Sequence, residues 1–497
     1  MRNHTTTTLV LGLIILFAMA ARADQPATKD IPEHPDKLVY PALKYTLPPA
    51  SEFREVLPSG LVVYIAEDRM LPLFDINVTL RVGGAFEPAD KAGLAALVGE
   101  QLREGGTETY SPAELDEQVE FLAAQLMSRV SDTRGSAGVS LLSKDIDAGM
   151  ELLIDMLRHP RFDEERLRQA KERRLQNIKR RNDSSSTIEE IEWGFLMQGA
   201  EHFSNRYPST KTINSITRDD LIAFHREYYH PGNMIVTATG DFDRKEMLAK
   251  IEQAFGDWPV GQVAAKTFPA PEHEPEPGVY VVQKDDVNQG RVSLGHKAIM
   301  RGSPDEFALI VMDTILGQGG FQSRLVQKVR SEEGLAYSVG SNFGQGTYYP
   351  GNFWCFFQSK SNACAYATQL VLNEINRLRT EKVGQEELDG TLSQLIESFP
   401  QRFPNKGAIL RTYVADEYTG RDPAYWETYV EQLKSVTSED ILRVAQQYLH
   451  PDQLVILVVG DTEVLIAGGH DKDPEVGLER FGKVTKLLPR DPDTLTR

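Results

Sequence analysis

The chain is 497 residues long and has a formal net charge of −18, because 72 acidic side chains outnumber 54 Lys and Arg side chains. This length exceeds that of an ordinary domain and predicts more than one. The acidic balance argues against a nucleic-acid partner, since phosphate binding needs a concentrated basic face. The most basic stretch, residues 171–181, has helical spacing and predicts a solvated helix face.

The N-terminus has the pattern of a secretory signal peptide. A short start with Arg2 leads into an apolar stretch over residues 9–20 and a small-x-small cleavage site at 21–23. The apolar stretch is shorter than the roughly 18 residues that a transmembrane helix needs, and no later stretch reaches that length. We therefore predict export to the periplasm, cleavage after residue 23 and no membrane span in the mature chain, with an uncleaved signal anchor as the alternative. Residues 24–50 form a predicted N-terminal extension.

The two cysteines are nine residues apart. In an exported protein a disulfide between Cys355 and Cys364 is chemically permitted. The apolar run "NFWCFF" around Cys355 suits a buried free thiol equally well. Both alternatives stay open at the level of the sequence.

An internal repeat relates residues 215–243 to residues 435–463, with a constant offset of 220. Each copy starts with a Thr and an acid three residues later, a helix-start signal, and runs through an amphipathic helix to His-Pro. A β-branched strand ending in Gly-Asp follows. His230 and His450, the residues before the prolines, are predicted to be caps or packed rings rather than ligands.

The repeat and the alternation of elements predict an α+β fold with two homologous halves, each with a mainly antiparallel sheet covered by helices on one face. The first domain is expected over residues 51–260 and the second over 279–465. Between them, residues 261–278 are rich in Pro and Glu and predict an extended exposed linker. The tail, 466–497, is expected to form a short strand or turn and then to fray.

The stretch "KAGLAALVGEQLREGGT" over residues 91–107 predicts an amphipathic helix that is stopped by a glycine pair. Its apolar stripe, typical of a core-facing helix, consists of Leu94, Leu97, Val98 and Leu102. The other stripe consists of Ala96, Gly99, Glu100 and Arg103. That stripe has one carboxylate, which the Arg three residues later can pair with.

Residues 80–128 closely resemble the active-site region of the pitrilysin and insulysin zinc peptidases, in particular the short-subunit branch with the mitochondrial processing peptidase and bacterial two-subunit relatives. The likeness covers nearly the whole mature chain, from residue 57 to residue 463. It implies two homologous α+β halves that form half of a clamshell chamber. In active members this helix carries the inverted zinc motif His-x-x-Glu-His.

The resemblance places the three motif positions at Ala96, Gly99 and Glu100, and the third zinc ligand at Asn177. The expected groups are therefore absent. No two of the ten His residues are four apart, the spacing that aims two imidazoles from one helix at one ion. We predict that this chain binds no catalytic zinc and no other cofactor.

The second half keeps a segment, "VRSEEGLAY", in which the family has an Arg and a Tyr that contact the bound peptide. Here they are Arg330 and Tyr337. An Arg offers several donors to peptide carbonyls, and a Tyr hydroxyl can donate to a developing oxyanion. The preceding "GQGG", with Gly317, Gly319 and Gly320, is interpreted as a flexible turn that lines the chamber in this family.

These features predict the zinc-less, substrate-binding subunit of a heterodimeric metallopeptidase. The partner is expected to be a homologous chain that holds His-x-x-Glu-His and zinc, and the substrate an unfolded peptide. The alternative is an inactive peptide-binding or scaffold protein of the cell envelope. An independent hydrolase is disfavoured because the sequence has no nucleophile elbow and no paired-carboxylate motif.

Overall fold

The structure is a computed structural model that describes His34 and residues 45–497. The predicted signal peptide and most of the predicted extension lie outside these residues. The chain divides into a unit of residues 1–46 and a unit of residues 47–497. In the first unit only His34, Tyr45 and Thr46 are described, and none of them belongs to a helix or strand. Within the described ranges, no helix combines the length and the apolar character needed to cross a membrane.

The second unit contains two six-stranded sheets with matching strand orders. The first is ordered β1-β2-β6-β3-β5-β4 and the second β12-β7-β11-β8-β10-β9. The strands are β1 Arg54–Val56, β2 Val62–Glu67, β3 Leu73–Leu80, β4 Gln125–Val130, β5 Gly135–Leu142, β6 Met234–Gly240, β7 Gly278–Gln283, β8 Gln289–Lys297, β9 Ala336–Phe343, β10 Asn352–Lys360, β11 Val455–Gly460 and β12 Val484–Leu487. Pairing is antiparallel except for β2 with β6 and β7 with β11 and β12. The predicted fold of two homologous, mainly antiparallel halves is confirmed.

Helices connect and cover these strands. They are α1 Leu94–Glu104, α2 Pro112–Phe121, α3 Ile146–Arg158, α4 Glu164–Lys179, α5 Ser185–Gln198, α6 Thr210–Ser215, α7 Arg218–Tyr228, α8 Arg244–Phe255, α9 Glu306–Asp313, α10 Cys364–Thr380, α11 Gln385–Ser398, α12 Lys406–Thr419, α13 Tyr425–Lys434, α14 Ser438–Tyr448 and α15 Thr462–Ala467. Two π-helical segments, Thr314–Gln318 and Val326–Glu332, follow α9. The predicted helix starts of the repeat are confirmed, because Thr217 and Thr437 cap α7 and α14 with their hydroxyls.

The expectation that helices cover each sheet on one face only is wrong. Helix α5 of the first half packs on β8 and β11 of the second sheet, and α12 of the second half packs on β2 and β6 of the first. Glu189 on α5 accepts from Arg291 at 2.5 Å, and Glu417 on α12 accepts from Arg54 at 2.7 Å. The halves thus exchange one helix each, and both exchanges are fixed by partly buried ion pairs.

The predicted short strand in the tail is confirmed, but the predicted fraying after it is wrong. Strand β12 pairs in parallel with β7, and beyond it Arg490 and Arg497 both bind Glu192 of α5. Glu192 is buried, so its charge needs these partners. The predicted linker has no helix or strand before β7, but it is not exposed throughout: Phe268 is buried against Phe86 and Phe203, with ring centroids 5.4 and 5.5 Å apart.

The cysteines and the two repeat histidines take packed positions. Cys355 and Cys364 are both free and buried, and burial raises the pKa of the Cys364 thiol to about 12. The ring of His230 is buried and its Nε2 lies 3.3 Å from the Gln262 carbonyl oxygen. The ring of His450 packs 5.2 Å from that of His296. The prediction of capped or packed rings for His230 and His450 is confirmed.

Candidate functional site

Helix α1 carries the positions that would form a zinc site. It begins after Gly93, whose φ of 99° permits the sharp entry, and Glu87 accepts hydrogen bonds from the Gly93 and Ala95 amides at 2.8 Å each. A carboxylate at this end stabilises the helix because the free amide groups there carry partial positive charge. The predicted apolar stripe is buried throughout, and the glycine pair ends the helix as predicted.

Gly99 lies where active members of the resembled family carry the catalytic glutamate, and it is packed against the edge strand β4. A Cβ atom at residue 99 would lie 2.7 Å from the Val130 amide nitrogen and 3.0 Å from the Arg129 carbonyl carbon. Both neighbours are backbone atoms, which cannot rotate away. Any side chain at this position therefore requires β4 to move.

Glu100 is held by two arginines of α4. Its oxygens accept from the Nη2 atoms of Arg173 and Arg174, at 2.6 and 2.5 Å, and Arg173 also binds Glu104 at 2.5 Å. The hydrogen bond to Glu100 raises the pKa of the Arg173 guanidinium. A closed cluster of two acids and two bases thus occupies the face between α1 and α4.

Two predictions about these residues are wrong. Arg103 does not pair with Glu100: it binds Asp116 at 2.7 Å and the Leu126 carbonyl at 3.1 Å, because it projects toward α2 and β4. The basic run 171–181 is not simply a solvated face, since its arginines at 173 and 174 neutralise Glu100.

The residues at the four degenerate positions do not fit a zinc ion. Ala96 is a partly buried methyl group, Gly99 has no side chain, and Asn177 is exposed on α4. Glu100 is the one carboxylate of the set, and its partners are guanidinium groups. Within residues 45–497, no group of three or more His, Cys, Asp or Glu side chains is arranged to hold a metal ion.

Arg330 and Tyr337 lie together beside the edge strand of the second sheet. Arg330 sits in the second π-helical segment and Tyr337 is the second residue of β9. The Arg330 Cζ atom lies 4.5 Å from the Tyr337 ring centroid and 4.7 Å from that of Phe321. The guanidinium therefore lies within cation–π distance of two rings, and each such contact is worth about 0.5–1 kcal/mol at exposed sites.

The polar ends of this cluster are free. Tyr337 is 85% exposed and Phe321 is 66% exposed. In the described part of the chain, neither the Tyr337 hydroxyl nor the Arg330 guanidinium has a hydrogen-bond or ion-pair partner. Phe321 was not predicted as a site residue; its position nine residues before Arg330, directly after the glycine pair, is the signal that could have suggested it.

The predicted glycine turn is only partly a turn. Gly317 lies inside the first π-helical segment, and a Cβ atom there would come within 2.3 Å of the Ser341 amide nitrogen on β9. Gly319 is packed against the Thr314 carbonyl oxygen, and only Gly320, with φ of 62°, has open space around it. Flexibility is thus possible at Gly320 and excluded by packing at Gly317.

The two sets of residues belong to equivalent places in the two halves. One lies at α1 and β4, at the edge of the first sheet, and the other at the π-helical segments and β9, at the edge of the second. In the second set Arg330 lies against Tyr337, whereas among the described residues no hydrogen bond or ion pair joins Asn177 to the α1 positions of the first set. Within residues 45–497, no hydrogen bond, ion pair or ring contact joins one set to the other.

Comparisons with known proteins match both halves. The family model described as insulinase, peptidase family M16, matches residues 63–194, and the model described as peptidase M16 inactive domain matches residues 215–395. A relative from Helicobacter pylori named non-peptidase homolog YmxG is 23% identical over 82% of this chain and 94% of its own length. A Bacillus subtilis protein named uncharacterized zinc protease YmxG is 22% identical over 82% of this chain and 97% of its own length.

Solved structures share the fold. A peptidase M16 inactive domain from Pseudomonas fluorescens superposes with a TM-score of 0.73 and 24% identity, over 82% of this chain and 98% of that one. The periplasmic protease PqqL from Escherichia coli superposes with a TM-score of 0.65 and 17% identity, over 90% of this chain but 52% of that one. The fold, the paired halves and the two matching family models together establish that this chain belongs to the insulinase family of peptidases, family M16.

Proposed function

We propose that this chain is the zinc-less, substrate-binding subunit of a heterodimeric periplasmic metallopeptidase. The main observation that supports this proposal is the contrast between the α1 positions and the cluster of Arg330 and Tyr337. The motif positions on α1 are filled by a packed glycine and an internally paired carboxylate, whereas Arg330 and Tyr337 have free polar ends at the surface. A chain of this kind can bind and polarise a peptide but cannot activate water with a metal.

The partner supplies what is missing. It is a homologous chain with His-x-x-Glu-His, which holds the zinc ion, and this chain binds none. The length comparison supports a two-chain arrangement, because the match to PqqL leaves about half of that protease unmatched. The periplasmic location rests on the signal-peptide pattern of the sequence and agrees with the location stated for PqqL.

The residues of this chain act on an unfolded peptide. Tyr337 lies on an edge strand, and an extended peptide can add to such an edge through main-chain hydrogen bonds. The Arg330 guanidinium, oriented by the rings of Phe321 and Tyr337, donates to peptide carbonyl oxygens. The Tyr337 hydroxyl donates to the scissile carbonyl oxygen as negative charge develops on it.

One observation favours a second function, an inactive peptide-binding scaffold of the envelope. The Helicobacter pylori relative is named a non-peptidase homolog. A scaffold needs the fold and the edge strand but has no use for an oxyanion donor. The two functions therefore differ in the effect of removing the Tyr337 hydroxyl.

Substitution at the aromatic cluster tests the proposal. The mature chain is combined with its zinc-bearing partner, and peptide hydrolysis is measured with Tyr337→Phe, Arg330→Ala and, as control, Lys328→Ala. Lys328 shares the π-helical segment but pairs with Glu332 at 2.8 Å. Loss of an oxyanion donor typically lowers kcat by a factor of about 10²–10³, so we expect a fall of that order with Tyr337→Phe. Full turnover with both cluster variants would contradict the role assigned to them.

A further inference from the structure

The first sheet has a polar face that is not used by the core. On β3, the apolar residues Phe74, Ile76, Val78 and Leu80 are buried against helices of the first half. The alternating residues Asp75, Asn77 and Thr79 point to the opposite face, because successive strand residues alternate. Neighbouring strands add Ser136, Ser140 and Thr237 to this face.

A large cavity lies over this polar face. Helix α12 covers β2 and β6 but leaves β3, β5 and β4 open on this side. The space between the open strands, α12 and the preceding turn Phe399–Arg402 has a volume of about 800 Å³. It lies away from Arg330, Tyr337 and the degenerate zinc positions, none of which lines it.

The charge of the cavity wall is opposite to that of the chain. Its lining includes two carboxylates, Asp75 and Asp416, and five guanidinium groups, Arg129, Arg134, Arg402, Arg411 and Arg421. The wall therefore has three net positive charges in a chain of net charge −18. Arg129 and Arg134 come from the sheet side and Arg402 and Arg411 from the helical side, so the cavity is positive on both walls.

Most of this positive charge is uncompensated. Arg421 pairs with Asp416, and Asp416 also accepts from Trp426 at 2.6 Å. Asp75 accepts from Asn77 at 2.8 Å and from Ser140. Across residues 45–497, no carboxylate forms an ion pair with the other four arginines. The acids are thus occupied, while the four guanidinium groups lack a carboxylate partner: Arg129 donates only a long hydrogen bond to Ser136 at 3.4 Å, and Arg402 lies 5.7 Å from the Tyr429 ring centroid.

The cavity continues into a second one of about 610 Å³. The two share Asp75, Ser140 and Arg411 in their walls. The second is bordered by Met70 and Leu71, which are 88% and 61% exposed. A groove of this volume, polar at one end and apolar at the other, is larger than a single small anion requires and suits an extended chain.

We propose that this groove binds an acidic segment of an extended peptide, with its carboxylates against Arg129, Arg134, Arg402 and Arg411. Guanidinium groups bind carboxylates through paired hydrogen bonds, so several arginines on two facing walls select carboxylate-rich ligands. The inference rests on the proposed peptide-binding function and adds the substrate class: peptides with an acidic stretch, drawn to a positive groove on an otherwise acidic protein.

Peptide binding to the isolated mature chain tests this. Fluorescence anisotropy compares a labelled glutamate-rich peptide of roughly 12 residues, which spans about 40 Å when extended, with the same peptide carrying Gln for Glu. The variant Arg134→Glu/Arg411→Glu reverses one charge on each wall. The control Lys211→Glu/Lys245→Glu makes the same charge change at two exposed lysines that line neither cavity. Melting temperatures verify that all variants fold.

We expect the acidic peptide to bind at least about tenfold more tightly than the Gln peptide. The arginine variant should lose that preference, the lysine control should keep it, and inorganic phosphate should compete only weakly. Equal affinity for the two peptides, or a preference that the arginine variant keeps, overturns the proposal. Phosphate that competes as well as the peptide overturns it in favour of a small-anion site.

The outcome is distinguishable from a failure of the proposed function. The assay uses this chain alone, so it does not depend on a partner or on zinc. If hydrolysis by the two-chain enzyme requires Tyr337 but no preference for acidic peptides is found, only the groove proposal is overturned. If this chain prefers acidic peptides but the addition of a zinc-bearing homologue produces no hydrolysis, the groove stands and the subunit function is contradicted.

Discussion

In each half of the chain, a helical segment with a buried glycine packs against an edge strand. The polar groups beside it are paired in the first half and free in the second. In the first half Gly99 packs against β4, and Glu100 is neutralised by Arg173 and Arg174. In the second half Gly317 packs against β9, yet the polar ends of Arg330 and Tyr337 stay free. In the first region the residues are packed or paired within the chain, whereas in the second the side chains of Arg330 and Tyr337 present free hydrogen-bond donors. Under the proposed function, the second region therefore supplies the groups that act on a peptide.

The two helices also differ in their carboxylates, which gives the largest expected effect on stability. Asp313, at the end of α9, is buried and accepts from Ser341 at 2.6 Å and from the Phe343 amide at 2.9 Å. Burial raises the pKa of Asp313 from 3.8 to about 6. The native state therefore holds a proton that the unfolded state has already lost between about pH 4 and 6, so stability falls as pH rises through this window.

The variant Asp313→Asn should remove this dependence. Relative to the variant, we expect the wild-type free energy of unfolding to drop by up to about 3 kcal/mol between pH 4 and pH 7. Urea unfolding of both proteins across this range measures the difference. A difference that is constant with pH would show that Asp313 titrates normally and that its burial imposes no charge penalty.

The packing at Gly99 is tested by adding one methyl group. Gly99→Ala should destabilise the chain by about 1–3 kcal/mol, because its Cβ would meet the β4 backbone. The matched control is Gly390→Ala on α11, where nothing lies within 4 Å of an added Cβ. There the better helix propensity of Ala should stabilise by up to about 1 kcal/mol. Equal effects at the two positions would mean that β4 yields easily and that a larger side chain at residue 99 is tolerated.

The charge cluster on α1 should have the smallest effect. Glu100 is 23% exposed, and partly exposed ion pairs are worth about 1 kcal/mol or less. We expect Glu100→Gln to lower the free energy of unfolding by no more than that, with the loss shrinking at high salt. Glu104→Gln, which removes a contact to Arg173 only, should cost less still. A loss of several kcal/mol with Glu100→Gln would mark the cluster as a buried network on which α1 and α4 depend.

Local patterns in the sequence predicted the parts of the molecule that depend on neighbouring residues. The apolar stripe and the glycine stop gave α1 almost to the residue, and the Thr caps gave α7 and α14. Helical periodicity reports which face is apolar whatever the partner is. The repeat predicted matching sheets because two similar stretches must bury similar faces.

Long-range pairings could not be read in this way. Glu100 and Arg173 are 73 residues apart, so the choice of Arg173 over Arg103 follows from how α4 packs on α1. The ordered tail depends on a pairing of β12 with β7 across roughly 200 residues and on the buried Glu192 of the other half. The exchange of α5 and α12 is likewise decided by tertiary packing, which no local pattern reports.

The central claim is a division of labour between a chain with donors and a chain with zinc. The most direct test is to measure bound zinc and peptide hydrolysis for this mature chain alone, for its zinc-motif partner alone, and for the two combined. The account predicts no zinc and no hydrolysis for this chain alone, and one zinc per pair with hydrolysis only in the mixture. Stoichiometric zinc on this chain, or hydrolysis by it without a partner, would contradict the account.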